Sequence, residues 1–284
     1  MNKKLFLVLP ALFGMLISTT SCGNTTFDNS KLVIGLECAY APFNWSMQNE
    51  NEYTLKVSNK NNLYCDGYDI QIAKYLSKEL NIEVEIMQID WLSLVPDLQF
   101  GNINAIIAGM TDTPERRQSI DFTDEYYRSE LVLVVQKTVA DSYQEVLNSD
   151  AFSSLVNGQV IVSQKSTVTD EVINTFAKEH GAIHASAVDS FALAATDVSN
   201  GSAFAMTAEL PVAQSIVASF TNLGIIHIDQ NILGEAKAEL GVSIGIQKGN
   251  EELQTSINNA LAKLTASQRQ EMMNAAISRA PAEE

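Results

Sequence analysis

The chain has 284 residues, 46% hydrophobic, 7% aromatic and 18% charged, a globular composition with length for one large or two medium domains. Its 34 Asp and Glu against 18 Lys and Arg leave a net charge of −16. That balance excludes a nucleic-acid partner, because phosphate binding needs a basic face, and it favours solubility and draws cations.

Residues 1–22 read as an export signal, not as part of the fold. Lys3 and Lys4 precede an apolar stretch over 5–17, and Ser18-Thr19-Thr20-Ser21 supplies the small residues of a cleavage region. The apolar core is too short to span a membrane, and no later run reaches that length. The segment ends at Cys22 and resembles the bacterial lipobox, with Thr19 where that pattern prefers leucine. The resemblance implies a lipidated Cys22, with 23–30 as a polar tether to the cell membrane. Cys38 and Cys65 then stand in an oxidising compartment. Either they form a disulfide worth about 3 kcal/mol, or they pack as small buried hydrophobes. Without histidine neighbours they make a poor metal site, and neither a metal nor a cofactor is expected.

Residues 31–36 alternate into a short strand, followed by the aromatic turn Tyr40-Ala41-Pro42-Phe43-Asn44-Trp45. The polar stretch 48–62 reads as a hairpin or surface loop. Gly67 introduces a helix over 69–80 with Ile72, Ala73, Leu76 and Leu80 on one face, then come a strand over 82–86 and a helix over 94–100.

The run from Ile103 to Arg116 reads as a buried strand that breaks at Gly109 and restarts as a helix. Thr113 suits the N-cap, Pro114 the first helical position, and Arg116 falls on the first turn. Unpaired N–H groups beside a guanidinium make a carboxylate pocket; the alternative is a solvated arginine on an ordinary turn.

Strands over 131–136 and 160–162 follow. The second leads into Ser163-Gln164-Lys165-Ser166-Thr167-Val168-Thr169 and a helix from 170. A strand over 203–206 leads into Thr207-Ala208-Glu209-Leu210-Pro211, which opens another helix. Alternating strands and helices imply an α/β fold with mostly parallel sheets, in which ligands bind beyond the carboxyl ends of strands. Hydroxyl and amide donors, a guanidinium and a carboxylate are what a zwitterion requires. Equally, Ser and Thr cap helices and Glu209 complements a helix dipole.

Several segments together resemble one family. They are Gly35-Leu36-Glu37 with Tyr40-Ala41-Pro42-Phe43, Gly67-Tyr68-Asp69-Ile70, Asp90-Trp91 with Leu94-Val95-Pro96, and Ile106-Ala108-Gly109-Met110-Thr111 through Arg116 to Asp121-Phe122-Thr123. Over about 31–260 the chain is similar to the polar amino-acid-binding proteins of bacterial ABC importers, the glutamine/histidine/lysine–arginine–ornithine-binding group. The resemblance implies a type II periplasmic-binding-protein (Venus-flytrap) fold of two α/β lobes joined by two hinge strands. Lobe 1 would be 31–127 plus 241–284 and lobe 2 128–240, with crossings near Arg128-Ser129 and Glu239-Leu240.

Residue by residue, the resemblance implies that Arg116 grips an α-carboxylate with help from Thr111, the Gly109 backbone and Thr167. Glu209 takes the α-ammonium, where relatives often have aspartate. Tyr40 and Trp91 sandwich the ligand side chain, and Glu37 meets its tip. An acid facing aromatics suits a cationic tip (arginine, lysine, ornithine or histidine), with glutamine as the alternative. Lys165-Ser166 replaces the family's Gly-Thr, and the C-terminal run 272–277 reads as an amphipathic helix packed on lobe 1.

The expected protein is a monomer that closes on an amino acid and delivers it to a membrane permease. The rivals are a cyclohexadienyl dehydratase-like enzyme and a sensor of the same fold. No G-x-S-x-G, H-E-x-x-H or P-loop motif is present. His180, His184 and His227 read as surface or packing residues.

Overall fold

Two five-stranded sheets carry the chain. A computed structural model describes residues 30–281, and of residues 176 and 235–239 the backbone alone. The export signal, Cys22 and the tether up to residue 29 lie outside the described residues.

In the first sheet the strand order is Glu83–Gln88, Lys31–Leu36, Ala105–Ile106, Gly241–Gln247, Ile120–Arg128. In the second it is Ile183–His184, Val160–Val162, Ala205–Glu209, Leu131–Gln136, Leu223–His227. In each sheet four strands run in one direction and one runs against them, Gly241–Gln247 in the first and Leu131–Gln136 in the second, so the mostly parallel arrangement that the alternation suggests is interrupted by one reversed strand per sheet. The cause is the crossing between lobes. The chain leaves the first sheet after Arg128, enters the second at Leu131 and returns at Gly241, and the strand that begins at each of these two entries opposes the βαβ units. Gly241 pairs with Arg128, so the two crossings lie side by side. Gln230 brackets the entry to the second sheet: its Oε1 accepts the Leu131 N–H at 3.0 Å and its Nε2 donates to the Leu131 carbonyl at 2.9 Å.

A small four-stranded sheet beside the first lobe orders Ala39–Tyr40, Asn44–Met47, Tyr64–Asp66 and Leu55–Lys56, and absorbs part of the polar stretch 48–62. The aromatic turn is stitched to the start of helix Tyr68–Leu80: Tyr68 N–H donates to Pro42 at 3.0 Å and Asp69 N–H to Phe43 at 2.8 Å. Only glycine fits before that helix. Gly67 has φ +134°, and a Cβ there would lie 2.2 Å from the Phe43 carbonyl oxygen.

A buried polar cluster lies within the first lobe. Tyr126 OH accepts the Gly109 N–H at 2.9 Å and donates to Asp69 Oδ1 at 2.7 Å; Asn44 Nδ2 donates to Asp69 Oδ2 at 2.8 Å. Asp69 is fully buried, and burial pushes its carboxyl up to about 7 against the pull of those hydrogen bonds.

The final helix, Ala266–Arg279, packs on helix Tyr68–Leu80 of the first lobe and also on Leu210–Ser219 of the second, further than the sequence suggests. Arg279 fastens it to the first lobe, donating to Asp66 at 3.1 and 3.0 Å while its guanidinium lies 4.1 Å from the centre of the Tyr53 ring. The disulfide is not formed: Cys38 and Cys65 are free buried thiols with hydrogen-bonded side chains. Burial and the neighbouring Cys38 hold the Cys65 thiol well above its usual range. Among the described residues no helix is long and apolar enough to cross a membrane, and no group of three or more His, Cys, Asp or Glu could hold a metal ion.

Candidate functional site

Strand ends deliver the site's side chains, from both lobes. Glu37 follows strand Lys31–Leu36, and Trp91 opens helix Trp91–Phe100 after strand Glu83–Gln88. Gly109 and Thr111 follow strand Ala105–Ile106. From the second lobe, Gln164 and Thr167 follow strand Val160–Val162, and Glu209 ends strand Ala205–Glu209. Carboxyl ends of parallel strands converge here, the general ligand position in such sheets.

The run ending at Arg116 differs from its sequence reading. The strand is short because the side chain of Asn104 takes the Val33 N–H at 2.8 Å. No α-helix follows. A three-residue 3-10 turn, Arg116–Gln118, occupies its place, since strand Ile120–Arg128 begins two residues later. The cap position of the turn is Glu115, not Thr113, though Thr113 Oγ1 accepts the Arg116 N–H at 3.2 Å. The helix after strand Val160–Val162 begins earlier than expected, at Val168, which leaves Thr167 at its cap with Oγ1 facing the Asp170 N–H at 3.3 Å.

All eight sequence-derived candidates line one cavity between the lobes: Glu37, Tyr40, Trp91, Gly109, Thr111, Arg116, Thr167 and Glu209. Gln164, Val168, Thr169 and Phe191 line it too. The first three flank Thr167, so their signal was the run 163–169 itself. Phe191 had no local signal beyond a serine before it, Ser190, whose side chain caps the helix.

Arg116 Nη1 donates to the Thr111 carbonyl at 2.6 Å, and Nη2 crosses between lobes to the Ser166 carbonyl at 3.1 Å. Trp91 Nε1 donates to the same Ser166 oxygen at 3.2 Å, and the Arg116 guanidinium lies 5.2 Å from the centre of the Trp91 ring. Ser166 holds φ +60°, which turns its carbonyl toward both donors. Tyr40 OH donates to Glu209 Oε2 at 2.7 Å, a third bond between lobes. The Tyr40 ring packs on Phe43 (5.2 Å, 11°) and on Phe191 (4.9 Å, 32°). Gly109, at φ +60°, lets that ring approach: a Cβ would lie 2.7 Å from Tyr40 Cε1.

Both carboxyls are perturbed upward. Burial pushes Glu37 up to about 7, opposed by a hydrogen bond from the Trp91 N–H and reinforced by Asp90. Burial likewise raises Glu209, opposed by the Tyr40 hydroxyl and its own N–H. Arg116 is the cation among the lining residues. Lys165, at the departure from the resembled pattern, pairs with Asp189 within the second lobe and does not line the cavity. The three histidines lie elsewhere: His184 on Asp170 at 2.7 Å, His227 on Glu130 at 3.0 Å and His180 on Ser153 at 2.6 Å. The cavity thus offers one guanidinium and a helix N-terminus to an anion, and two carboxyls to cations.

The chain is 27% identical over 236 residues to ABC transporter arginine-binding protein 1 of Escherichia coli (strain K12), covering 83% of this chain and 86% of that one. It is 25% identical over 240 residues to the ABC transporter glutamine-binding protein GlnH of Bacillus subtilis (strain 168), covering 84% and 77%. The fold is shared with the crystal structure of the amino acid ABC transporter substrate-binding protein AbpA from Streptococcus pneumoniae bound to L-arginine, at a TM-score of 0.70 and 23% identity over 88% of this chain and 95% of that one. The family model spans residues 32–276, both lobes and nearly every described residue; the chain belongs to the bacterial extracellular solute-binding proteins, family 3.

Proposed function

We propose that this protein is the substrate-binding component of an amino-acid ABC importer and that it takes a cationic L-amino acid. The observation that carries this reading is the charge inventory of one small cavity, with Arg116 against Glu37 and Glu209. An α-carboxylate meets Arg116 and the N-terminus of helix Val168–Glu179, assisted by Thr111 and Thr167. The α-ammonium meets Glu209. That leaves Glu37, beside Trp91, for a positively charged tip. Relatives named for arginine binding support the choice.

Binding follows from lobe closure. Ligand contacts come from both sheets, so only the closed form completes the site, and ligand shifts the population toward it. The bonds from Arg116 and Trp91 to Ser166 and from Tyr40 to Glu209 would form in the same movement. The closed form then delivers its load to a membrane permease as a monomer tethered through Cys22.

Glutamine is the second reading, because a carboxyl at the tip position also accepts from an amide and a relative is named for glutamine. A thermal-shift panel of the twenty amino acids plus ornithine and citrulline, on the chain from Gly23 onward, tests both. Millimolar ligand against a micromolar site stabilises by about 4 kcal/mol. A shift with arginine, lysine or ornithine supports the cationic assignment. A shift with glutamine alone overturns it, and no shift at all overturns the amino-acid reading.

A further inference from the structure

Glu37 and Glu209 share one cavity in which Arg116 is the cation among the described lining residues, and two of that guanidinium's N–H groups go to the Thr111 and Ser166 carbonyls. The Glu37 carboxyl accepts the Trp91 N–H at the head of helix Trp91–Phe100. The titratable groups facing it are Asp90, just before that helix, the Tyr40 hydroxyl on the following strand, and Glu209 across the cavity. None of these is a cation. The Tyr40 hydroxyl is already donated to Glu209, so it gives Glu37 no proton to share.

Resting on the amino-acid reading of the cleft, we infer that Glu37 is a proton-switched specificity residue. Ionised, it selects an amino acid with a cationic tip; protonated, it donates to the carbonyl of a neutral, amide- or urea-tipped one. A cationic tip entering the protonated site displaces the proton to solvent, leaving a carboxylate paired with the ligand. A neutral tip enters with the proton retained. Burial pushes the Glu37 carboxyl up to about 7, so both forms are populated around neutrality.

Arginine and citrulline separate the two states, because they match in length and differ in the charge of the tip. Affinity for a ligand that needs the ionised form falls by a factor of one plus ten to the power pKa minus pH. With a pKa near 7 that factor is about elevenfold at pH 6 and close to one at pH 8. Glu209, also raised, lowers the affinity for both ligands together as pH falls, so the arginine-to-citrulline affinity ratio isolates Glu37.

The experiment is isothermal calorimetry of the chain from Gly23 onward with each ligand at pH 6, 7 and 8. The expected ratio falls about tenfold or more from pH 8 to pH 6 in the wild type and is flat in Glu37→Gln. Repeating the wild-type titration at pH 6.5 in phosphate and in a buffer of different ionisation enthalpy counts protons without any variant. Arginine should release most of a proton more than citrulline does. A pH-independent ratio, or equal proton release for the two ligands, overturns the inference while the amino-acid reading stands. Failure of every amino acid to bind at any of the three pH values overturns that reading and this inference with it.

Discussion

Asp69→Asn tests whether the buried cluster around Asp69, Tyr126 and Asn44 stores a proton. Asp69 is fully buried, and its partners are Tyr126, Asn44 and the Gly109 N–H, none of them a cation. Its carboxyl stands at about 7 when folded, against about 3.9 unfolded. An acid whose folded value is raised takes up a proton on folding. Its stabilising contribution is therefore complete below pH 3.9 or so and is lost as pH rises through about 7. Linkage puts the loss between pH 5 and pH 8 at about 2.5 kcal/mol, or roughly 5–10 °C in Tm for a chain of this size. The variant should lose this dependence, because a neutral amide stands where the protonated acid did. Asn44 can receive it: its Oδ1 is buried without a partner and is brought round by an amide flip. The assay is differential scanning calorimetry of both proteins from pH 5 to 8 without ligand. Glu37 and Glu209 titrate in the same direction, so the informative quantity is wild type minus variant. A difference that stays constant across the range would refute the reasoning, and would mean that the three hydrogen bonds keep Asp69 ionised throughout.

Arg116→Ala should weaken amino-acid affinity by about 10²–10³-fold, since it leaves a buried carboxylate unpaired, while Arg116→Lys recovers only part. Calorimetry reads the loss, and circular dichroism should show the fold intact. Trp91→Phe keeps a ring at the cavity wall but removes the Nε1 bond to Ser166. A net hydrogen bond of about 1 kcal/mol predicts roughly fivefold weaker binding, and an unchanged Kd would remove that bond from the closing set. Thiol titration of the chain from Gly23 onward should find Cys38 and Cys65 unreactive when folded and both reactive in denaturant, as two buried thiols require; no reaction in denaturant would mean that they are bonded after all.

Much of the site was legible because it is written in short contiguous runs. Arg116, Thr111 and Gly109 stand within one stretch, Glu37 and Tyr40 within another, and each run follows a segment that reads as a strand, alternating over 31–36 and continuously apolar before Gly109. Helix lengths were less legible. The turn at Arg116–Gln118 stops short because strand Ile120–Arg128 must start at once, a constraint imposed by sheet pairing and not by Thr113 or Pro114. Phe191 entered the cavity without a local mark, since its neighbour Tyr40 lies in the other lobe.

What the sequence determined by itself was therefore local: the alternation of strands and helices, the glycines at tight approaches, and the residue types able to hold a zwitterion. Only the tertiary structure decided how these runs combine. It reversed the strands Leu131–Gln136 and Gly241–Gln247 in their sheets, paired Lys165 with Asp189 away from the cavity, and left Cys38 and Cys65 as adjacent thiols. It also buried Glu37 and Glu209 in one cavity, and so raised both carboxyls. The physical reason is that periodicity and capping act over a few residues, whereas desolvation and charge pairing depend on which distant segments fold against one another.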